Sequence, residues 1–221
     1  MSTTTALVPK SVGWHGKLPS RGDFVGRGLP RGWQRTWDDW LQRGLSLAAQ
    51  RWGGTLREHL LAMPPWQAIV PPPQPDLPAW CVVVVASSDR VGRAFPLMVA
   101  EAHDAQTLDG VPVAAWHARA LQLAEWLAEV MPRSSPRELE AGTAVLAALP
   151  WAAVDDARDG RDGRIADLRE RWNDAGSFWW RAEPDADALA PLVQPWPPRE
   201  TLVLDWLGED DTTPPSEPDA C

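Results

Sequence analysis

Two apolar segments near the middle of the chain, residues 80–87 and 95–103, place the strongest constraint on the fold. The first contains four consecutive valines, and β-branched residues of this kind favour strands. A short charged segment, residues 88–93, connects the two. We expect the first segment to be a central strand of a sheet and the second to be its antiparallel neighbour.

The rest of the chain predicts strands and helices in an irregular order. Short segments bounded by glycine, proline and charged residues predict strands over residues 12–17, 23–27, 66–70 and 177–181. Helical spacing of apolar residues, with capping boxes at Thr55–Glu58 and Ser135–Glu138, predicts helices over residues 31–51, 56–63, 113–130, 136–149, 165–173 and 199–207. Since strands and helices do not alternate regularly, we expect an α/β (α+β) fold: one α/β/α sandwich-like domain with a largely antiparallel central sheet flanked by helices.

The two ends of the chain differ from its middle in composition. We expect a flexible N-terminus over residues 1–11, one domain over residues 12–207, and a disordered tail over residues 208–221. The tail carries five acidic residues, three prolines and no basic residue, a composition that cannot bury enough apolar surface to fold.

Charge and cysteine content exclude several classes of function. The net charge is −9, and residues 101–221 hold 24 acidic but only 10 basic residues, so no basic stripe for nucleic acid is present. Two cysteines, Cys81 and Cys221, cannot form a disulfide framework, and the longest apolar run is too short to span a bilayer. We therefore expect a cytoplasmic protein. Most of its 15 tryptophans should anchor a core or an interface.

The sequence lacks the usual spacing of metal-binding and phosphate-binding residues. The four histidines are scattered, with no spacing typical of metal ligands, and Glu101 with His103 is interpreted as a decoration at a strand edge. The loop over residues 155–163 does not align with a calcium loop, and no glycine-rich phosphate motif is found. We expect no metal and no cofactor.

A hydrolase remains an alternative, since His15, Asp23 and Ser88 supply the residue types of a catalytic triad. No GxSxG elbow accompanies them, and residues close in sequence rarely reproduce the geometry of a proton relay.

Two short charged turns, residues 17–23 and 89–93, are the remaining candidates. Each combines an aspartate with one or more arginines, a pairing suited to bidentate contacts. One interpretation is that ion pairs hold two hairpin turns together; the other is a joint polar patch for a protein partner. The partner-binding candidates are Lys17, Arg21, Asp23, Asp89, Arg90 and Arg93.

Three blocks of sequence resemble the TagF (ImpM) family of bacterial type VI secretion. The first comprises residues 16–25, GKLPSRGDFV, with RGLP at 27–30 and WDxWL at 37–41. The second is SSDRVGRAFPL at residues 87–97, similar to the family's S-x-D-x-x-G-R-x-F-P segment, and the third is SFWW at residues 177–180. The likeness covers roughly residues 12–207 in the right order. The chain departs from the family at His15, where an aromatic residue is common, and in its proline-rich connection over residues 71–78.

The resemblance implies a cytoplasmic protein without known catalytic chemistry. In the family, the role is post-translational restraint of secretion through the forkhead-associated scaffold protein; some members are fused to a PP2C-type phosphatase, of which we expect no counterpart after residue 207. Our leading hypothesis is thus a non-enzymatic regulator that binds this scaffold protein, without nucleic acid or membrane insertion. The alternatives are the hydrolase described above and a structural component of the secretion machine.

Overall fold

The computed structural model describes residues 7–72, 74, 77–148, 151, 165–171, 176–183 and 190–208. Its strands are β1 (Ser11–Gly16), β2 (Val25–Arg27), β3 (Trp66–Val70), β4 (Ala79–Val85), β5 (Leu97–His103), β6 (Ser177–Arg181) and β7 (Leu192–Gln194). Its α-helices are α1 (Arg31–Trp52), α2 (Leu56–Ala62), α3 (Ala105–Asp109), α4 (Val113–Val130), α5 (Pro136–Ala148), α6 (Ile165–Arg171) and α7 (Leu202–Leu207). The predicted α+β fold is confirmed.

The seven strands form one sheet in the order β2-β1-β5-β4-β3-β6-β7, and every neighbouring pair is antiparallel. The predicted central pair is β4 and β5, which are aligned from Ala79 opposite His103 to Val85 opposite Leu97. The pairing ends earlier than the apolar pattern suggests. Ser88 and Ala94 form only an isolated bridge, so the residues between Val85 and Leu97 belong to the turn.

Helices cover both faces of the sheet, and β4 is buried along its whole length as a result. Alternate residues of β4 point to opposite faces, so Cys81 and Val83 pack with α4 while Val82 and Val84 pack with α1 and α7. This arrangement explains why the strand is a continuous apolar run without polar alternation.

Tryptophans fill the face covered by α1 and α7. The rings of Trp37, Trp40, Trp179 and Trp206 lie within 5.1–6.4 Å of one another, measured between centroids. Trp40 Nε1 donates a hydrogen bond to the Arg199 carbonyl oxygen over 3.2 Å. The expectation that tryptophans anchor the core therefore holds for these rings.

Of the two predicted capping boxes, the one at Ser135 forms and the one at Thr55 does not. At the start of α5, the Ser135 backbone N–H donates to Glu138 Oε2 over 2.7 Å, and the Glu138 N–H donates to Ser135 Oγ over 3.4 Å. The box at Thr55 is wrong: its hydroxyl donates to the Trp52 carbonyl oxygen over 2.9 Å, because Gly53–Thr55 is already a turn of 3₁₀ helix. The turn of 3₁₀ helix therefore takes the place of a side-chain cap: the Leu56 backbone N–H donates to the Gly53 carbonyl oxygen.

Other segments also differ from expectation. Helix α7 begins at Leu202, three residues after the predicted start, and α3 and β7 were not predicted. Within the segment expected to be a flexible N-terminus, Leu7 is buried and the Lys10 N–H donates to the Ala102 carbonyl oxygen over 2.7 Å. The calcium-like loop at residues 155–163 and the tail at residues 209–221 lie outside the described residues.

Glu101 and His103 are not at an edge, because β5 lies between β1 and β4. Both side chains are buried, and Glu101 Oε1 accepts hydrogen bonds from Arg119 Nη2 over 2.6 Å and Nε over 3.1 Å. The indole N–H of Trp151 donates to Glu101 Oε2 over 3.2 Å. The sequence interpretation failed here because the partner that neutralises Glu101 comes from α4, which periodicity alone does not align with β5.

Candidate functional site

The two charged turns lie side by side at one end of the sheet. The first follows β1, and the second connects β4 to β5. Strands β1 and β5 pair with His15 opposite Met98, which brings the end of β1 next to the start of β5. Gly16 permits this approach, since a Cβ at that position would lie 2.4 Å from the Pro96 carbonyl oxygen.

Asp89 is the centre of the joint between the turns. Its side chain is fully buried, and Oδ2 accepts from Arg93 Nε over 2.6 Å and from Lys17 Nζ over 3.1 Å. Oδ1 accepts the backbone N–H groups of Val91, over 3.0 Å, and Arg93, over 2.9 Å. One carboxylate therefore shapes its own turn and attaches the other turn to it.

These contacts set the protonation state of Asp89. Burial alone would raise its pKa, but hydrogen bonds from the Arg93 N–H, the Lys17 ammonium, the Arg93 guanidinium and the Val91 N–H outweigh burial. The pKa of Asp89 consequently lies well below its ordinary value of 3.8. The carboxylate is charged at neutral pH, and each of its two oxygens accepts from two donors.

Backbone groups complete the joint. The Arg90 N–H donates to the Arg21 carbonyl oxygen over 2.8 Å, and Arg93 Nη2 donates to the Gly22 carbonyl oxygen over 2.7 Å. Ser87 Oγ donates to the Lys17 carbonyl oxygen over 2.7 Å. The two turns are thus joined, and all six predicted site residues belong to them.

The predicted residues divide into buried and exposed groups. Lys17 and Asp89 are buried, whereas Arg21, Asp23, Arg90 and Arg93 are exposed. Within the described part of the chain, the side chains of Arg21 and Arg90 form no hydrogen bond or ion pair. The interpretation of ion pairs that hold both turns is correct for Asp89 but not for Asp23, whose exposed carboxylate has no ion-pair partner among the described residues.

Apolar groups flank the exposed arginines. Phe24 is 48% exposed; Lys17 Nζ lies 5.2 Å from its ring centroid, and the ring packs edge-on against Phe95 with 4.6 Å between centroids. Val91 is 69% exposed at the tip of its turn. Exposed arginines beside a half-exposed aromatic ring are typical of protein interfaces.

Sequence reasoning missed a further arginine at this surface. Arg57 of α2 is exposed, and its Nε donates to the Gly92 carbonyl oxygen over 2.9 Å. Gly92 has a φ of 82°, a conformation that favours glycine. The motif around Asp89 indicates the turn, but no feature of the sequence indicates which helix end meets its carbonyl groups.

The residues of the hydrolase alternative are arranged differently. His15 is buried, and its Nε2 lies 2.7 Å from Asp38 Oδ1 while Gln34 Nε2 lies 3.1 Å from its Nδ1. A neutral imidazole protonated at Nε2 satisfies both contacts. Helix α1 thus supplies the carboxylate partner of His15, in place of Asp23, and both ring nitrogens are occupied.

Other kinds of site are scarce in the described part of the chain. No group of three or more histidine, cysteine, aspartate or glutamate side chains there could hold a metal ion. No helix in those residues is both long and apolar enough to cross a bilayer. A groove of about 630 Å³ lies between β6 and α7, lined by residues that include Trp66, Trp179 and Arg181.

One family model and one solved structure are similar to this chain over most of its length. A family model, the TagF N-terminal domain, type VI secretion system-associated, matches residues 13–146 and so includes both turns. The crystal structure of PA0076 from Pseudomonas aeruginosa PAO1 is similar, with a TM-score of 0.64, 29% sequence identity, and coverage of 94% of this chain and 100% of that chain. None of the curated proteins compared with this chain matches it. The chain belongs to the TagF family of type VI secretion system-associated proteins.

Proposed function

We propose that this protein is a non-enzymatic, cytoplasmic regulator that represses type VI secretion post-translationally by binding the forkhead-associated scaffold protein. The observation that carries the proposal is the joint surface of the two turns. Arg21 and Arg90 extend from it without partners in the described part of the chain, while the buried Asp89 holds their backbone in place. A binding site needs side chains that are free to contact a partner on a backbone that does not have to be ordered first.

The arrangement around His15 favours binding over hydrolysis. A general base needs a ring nitrogen within hydrogen-bond reach of the proton that it removes. Both nitrogens of His15 already have partners on α1, and the ring stacks against Phe24 with 5.9 Å between centroids. These contacts suit a buried residue that supports the exposed ring of Phe24 from below.

The proposal is tested by co-purification and secretion assays in the native bacterium. The variants Arg21→Glu and Arg93→Glu reverse charge within the surface. Lys10→Glu is the matched control, because Lys10 lies at the opposite end of the sheet and is exposed there in an ion pair with Asp104. We expect the surface variants to lose the scaffold protein and to secrete more, and the control to behave as the wild type.

Folded surface variants that retain both the scaffold protein and normal secretion would show that this surface is not the binding site. Size-exclusion chromatography separates the structural alternative: a stable assembly with sheath or baseplate components would favour a part of the machine over a regulator.

A further inference from the structure

The exposed side of the two turns is a basic patch, which we define as Arg21, Arg57, Arg90 and Arg93. Direct hydrogen bonds connect the segments that carry these residues, from Arg57 to Gly92, from Arg90 to Arg21 and from Arg93 to Gly22. Asp23 is the exposed acid of the two turns, since Asp89 is buried beneath them. The patch is therefore positively charged, although the chain as a whole has a net charge of −9.

The C-terminal segment of the same chain has the opposite charge. Residues 209–221 contain five acidic residues and no basic residue. The acidic segment and the basic patch therefore attract each other when they come within roughly 8–10 Å, the screening length at physiological ionic strength.

The segment also begins beside α2, the helix that carries Arg57. It follows Gly208 at the end of α7, where the Leu207 carbonyl oxygen lies 3.4 Å from His59 Nδ1 of α2. Arg57 is in the same short helix, two residues before His59, and it contacts the Asp89–Arg93 turn directly. Thirteen residues can span up to about 40 Å, so reach does not limit this contact.

We propose that residues 209–221 bind the basic patch within the same chain and compete there with the protein partner. The competition rests on the proposed function above, whereas the contact itself does not. Each exposed ion pair is weak, but a tethered ligand acts at an effective concentration of about millimolar, which makes a weak contact significant and still reversible. Any modification or partner that neutralises the acidic segment would then open the patch.

The two cysteines make the contact measurable in the full chain. Cys81 is buried in β4, and burial raises the pKa of its thiol, so a maleimide nitroxide is expected to label Cys221 selectively. The label broadens amide resonances near it in a two-dimensional NMR spectrum. We expect the strongest broadening at residues 20–23, 57–61 and 90–93, and its loss at high salt.

Two variants control this measurement. Neutralising all five acids, with Glu209→Gln, Asp210→Asn, Asp211→Asn, Glu217→Gln and Asp219→Asn, should abolish the pattern, and so should Arg21→Glu combined with Arg90→Glu. Lys10→Glu should preserve it. Broadening that is absent from the patch, or that persists when the acids are neutralised, would overturn the proposed contact.

A binding assay tests the competition separately. The chain ending at Gly208 should bind the scaffold protein more tightly than the full chain, by about threefold to tenfold. Equal affinities would overturn the competition even if the label confirms the contact. If neither chain binds the scaffold protein, the proposed function fails, and the label still decides whether the contact exists.

Discussion

Asp89 connects the motif in the sequence to the surface in the structure. Sequence patterns indicated that an aspartate and an arginine would stabilise a hairpin turn, and Asp89 with Arg93 does so. They did not indicate that Lys17 would reach the same carboxylate from a turn 72 residues away. Contacts between residues distant in sequence depend on strand order, which local periodicity does not encode.

Asp89→Asn tests the role of this carboxylate. A group whose pKa is depressed in the folded state stabilises that state above its ordinary pKa, and the stabilisation is lost as the pH falls through the folded value. We therefore expect the variant to be less stable than the wild type at about pH 7, and the gap to narrow steadily as the pH falls below the ordinary pKa of 3.8 toward the folded value. Urea unfolding midpoints across this range measure the difference, and a constant gap would contradict the assignment.

Glu101 and Arg119 form the second residue-scale test. Their side chains are 1% and 0% exposed, so removing one leaves the other charged and buried. Burial raises the pKa of Glu101, but the neighbouring His103 ring, with its Nε2 3.5 Å from Glu101 Oε2, and the Arg119 guanidinium more than offset this, so the net shift is downward. We expect Glu101→Gln and Arg119→Met each to cost about 3–5 kcal/mol of unfolding free energy.

The double variant completes this thermodynamic cycle. With both partners replaced, no unpaired charge remains, so its cost should be smaller than the sum of the single costs by about 0.5–3 kcal/mol. Chemical denaturation of all four proteins gives the coupling energy, and simple additivity would mean that the pair does not interact as described.

At the scale of elements, helices α1 and α7 pack closely because of one glycine. A Cβ at Gly44 would lie 2.3 Å from Val203 Cγ2, whereas a Cβ at Gly32 in the same helix would meet nothing within 4 Å. We expect Gly44→Ala to destabilise the protein by about 1–3 kcal/mol through overpacking. Gly32→Ala should instead stabilise it by up to about 1 kcal/mol, because alanine favours a helix. Thermal or urea unfolding distinguishes them, and equal effects would refute the packing argument.

The two helix starts offer another matched pair. Ser135→Ala removes a side chain that accepts the Glu138 N–H, so we expect a cost of about 1 kcal/mol. Thr55→Ala removes no cap, since α2 has no side-chain cap hydrogen bond, and should cost less than about 0.5 kcal/mol. Urea unfolding again measures both, and a larger effect at Thr55 would mean that the cap assignment is reversed.

Sequence patterns predicted elements well where burial was regular and poorly where it was not. The bounds of β3, α4 and β6 were predicted correctly, because each has a clear apolar or turn-residue boundary. Strand β7 is three residues long and half-buried, too short for any periodic signal. The sequence indicated the site residues whose side chains form its motifs. It did not indicate Arg57, because Arg57 binds the backbone carbonyl group of Gly92, and a backbone carbonyl group leaves no signal in the sequence.

For the whole molecule, the fold explains how a chain of net charge −9 presents a basic surface. The sheet brings the ends of β1 and β4 together, and the buried Asp89 fixes the two turns there. The acidic residues are concentrated in residues 101–221, while the turns lie in residues 1–100, where basic residues outnumber acidic ones. Family membership, fold and surface together support a binding role.

The most direct test is the affinity of the purified chain for the forkhead-associated scaffold protein, measured by isothermal titration calorimetry. Arg21→Glu with Arg90→Glu changes two exposed side chains that form no ion pair among the described residues, so the fold should be preserved. We predict that this variant weakens binding by about tenfold or more, whereas Lys10→Glu leaves it unchanged. Equal affinity of the wild type, the double variant and the control would contradict the account.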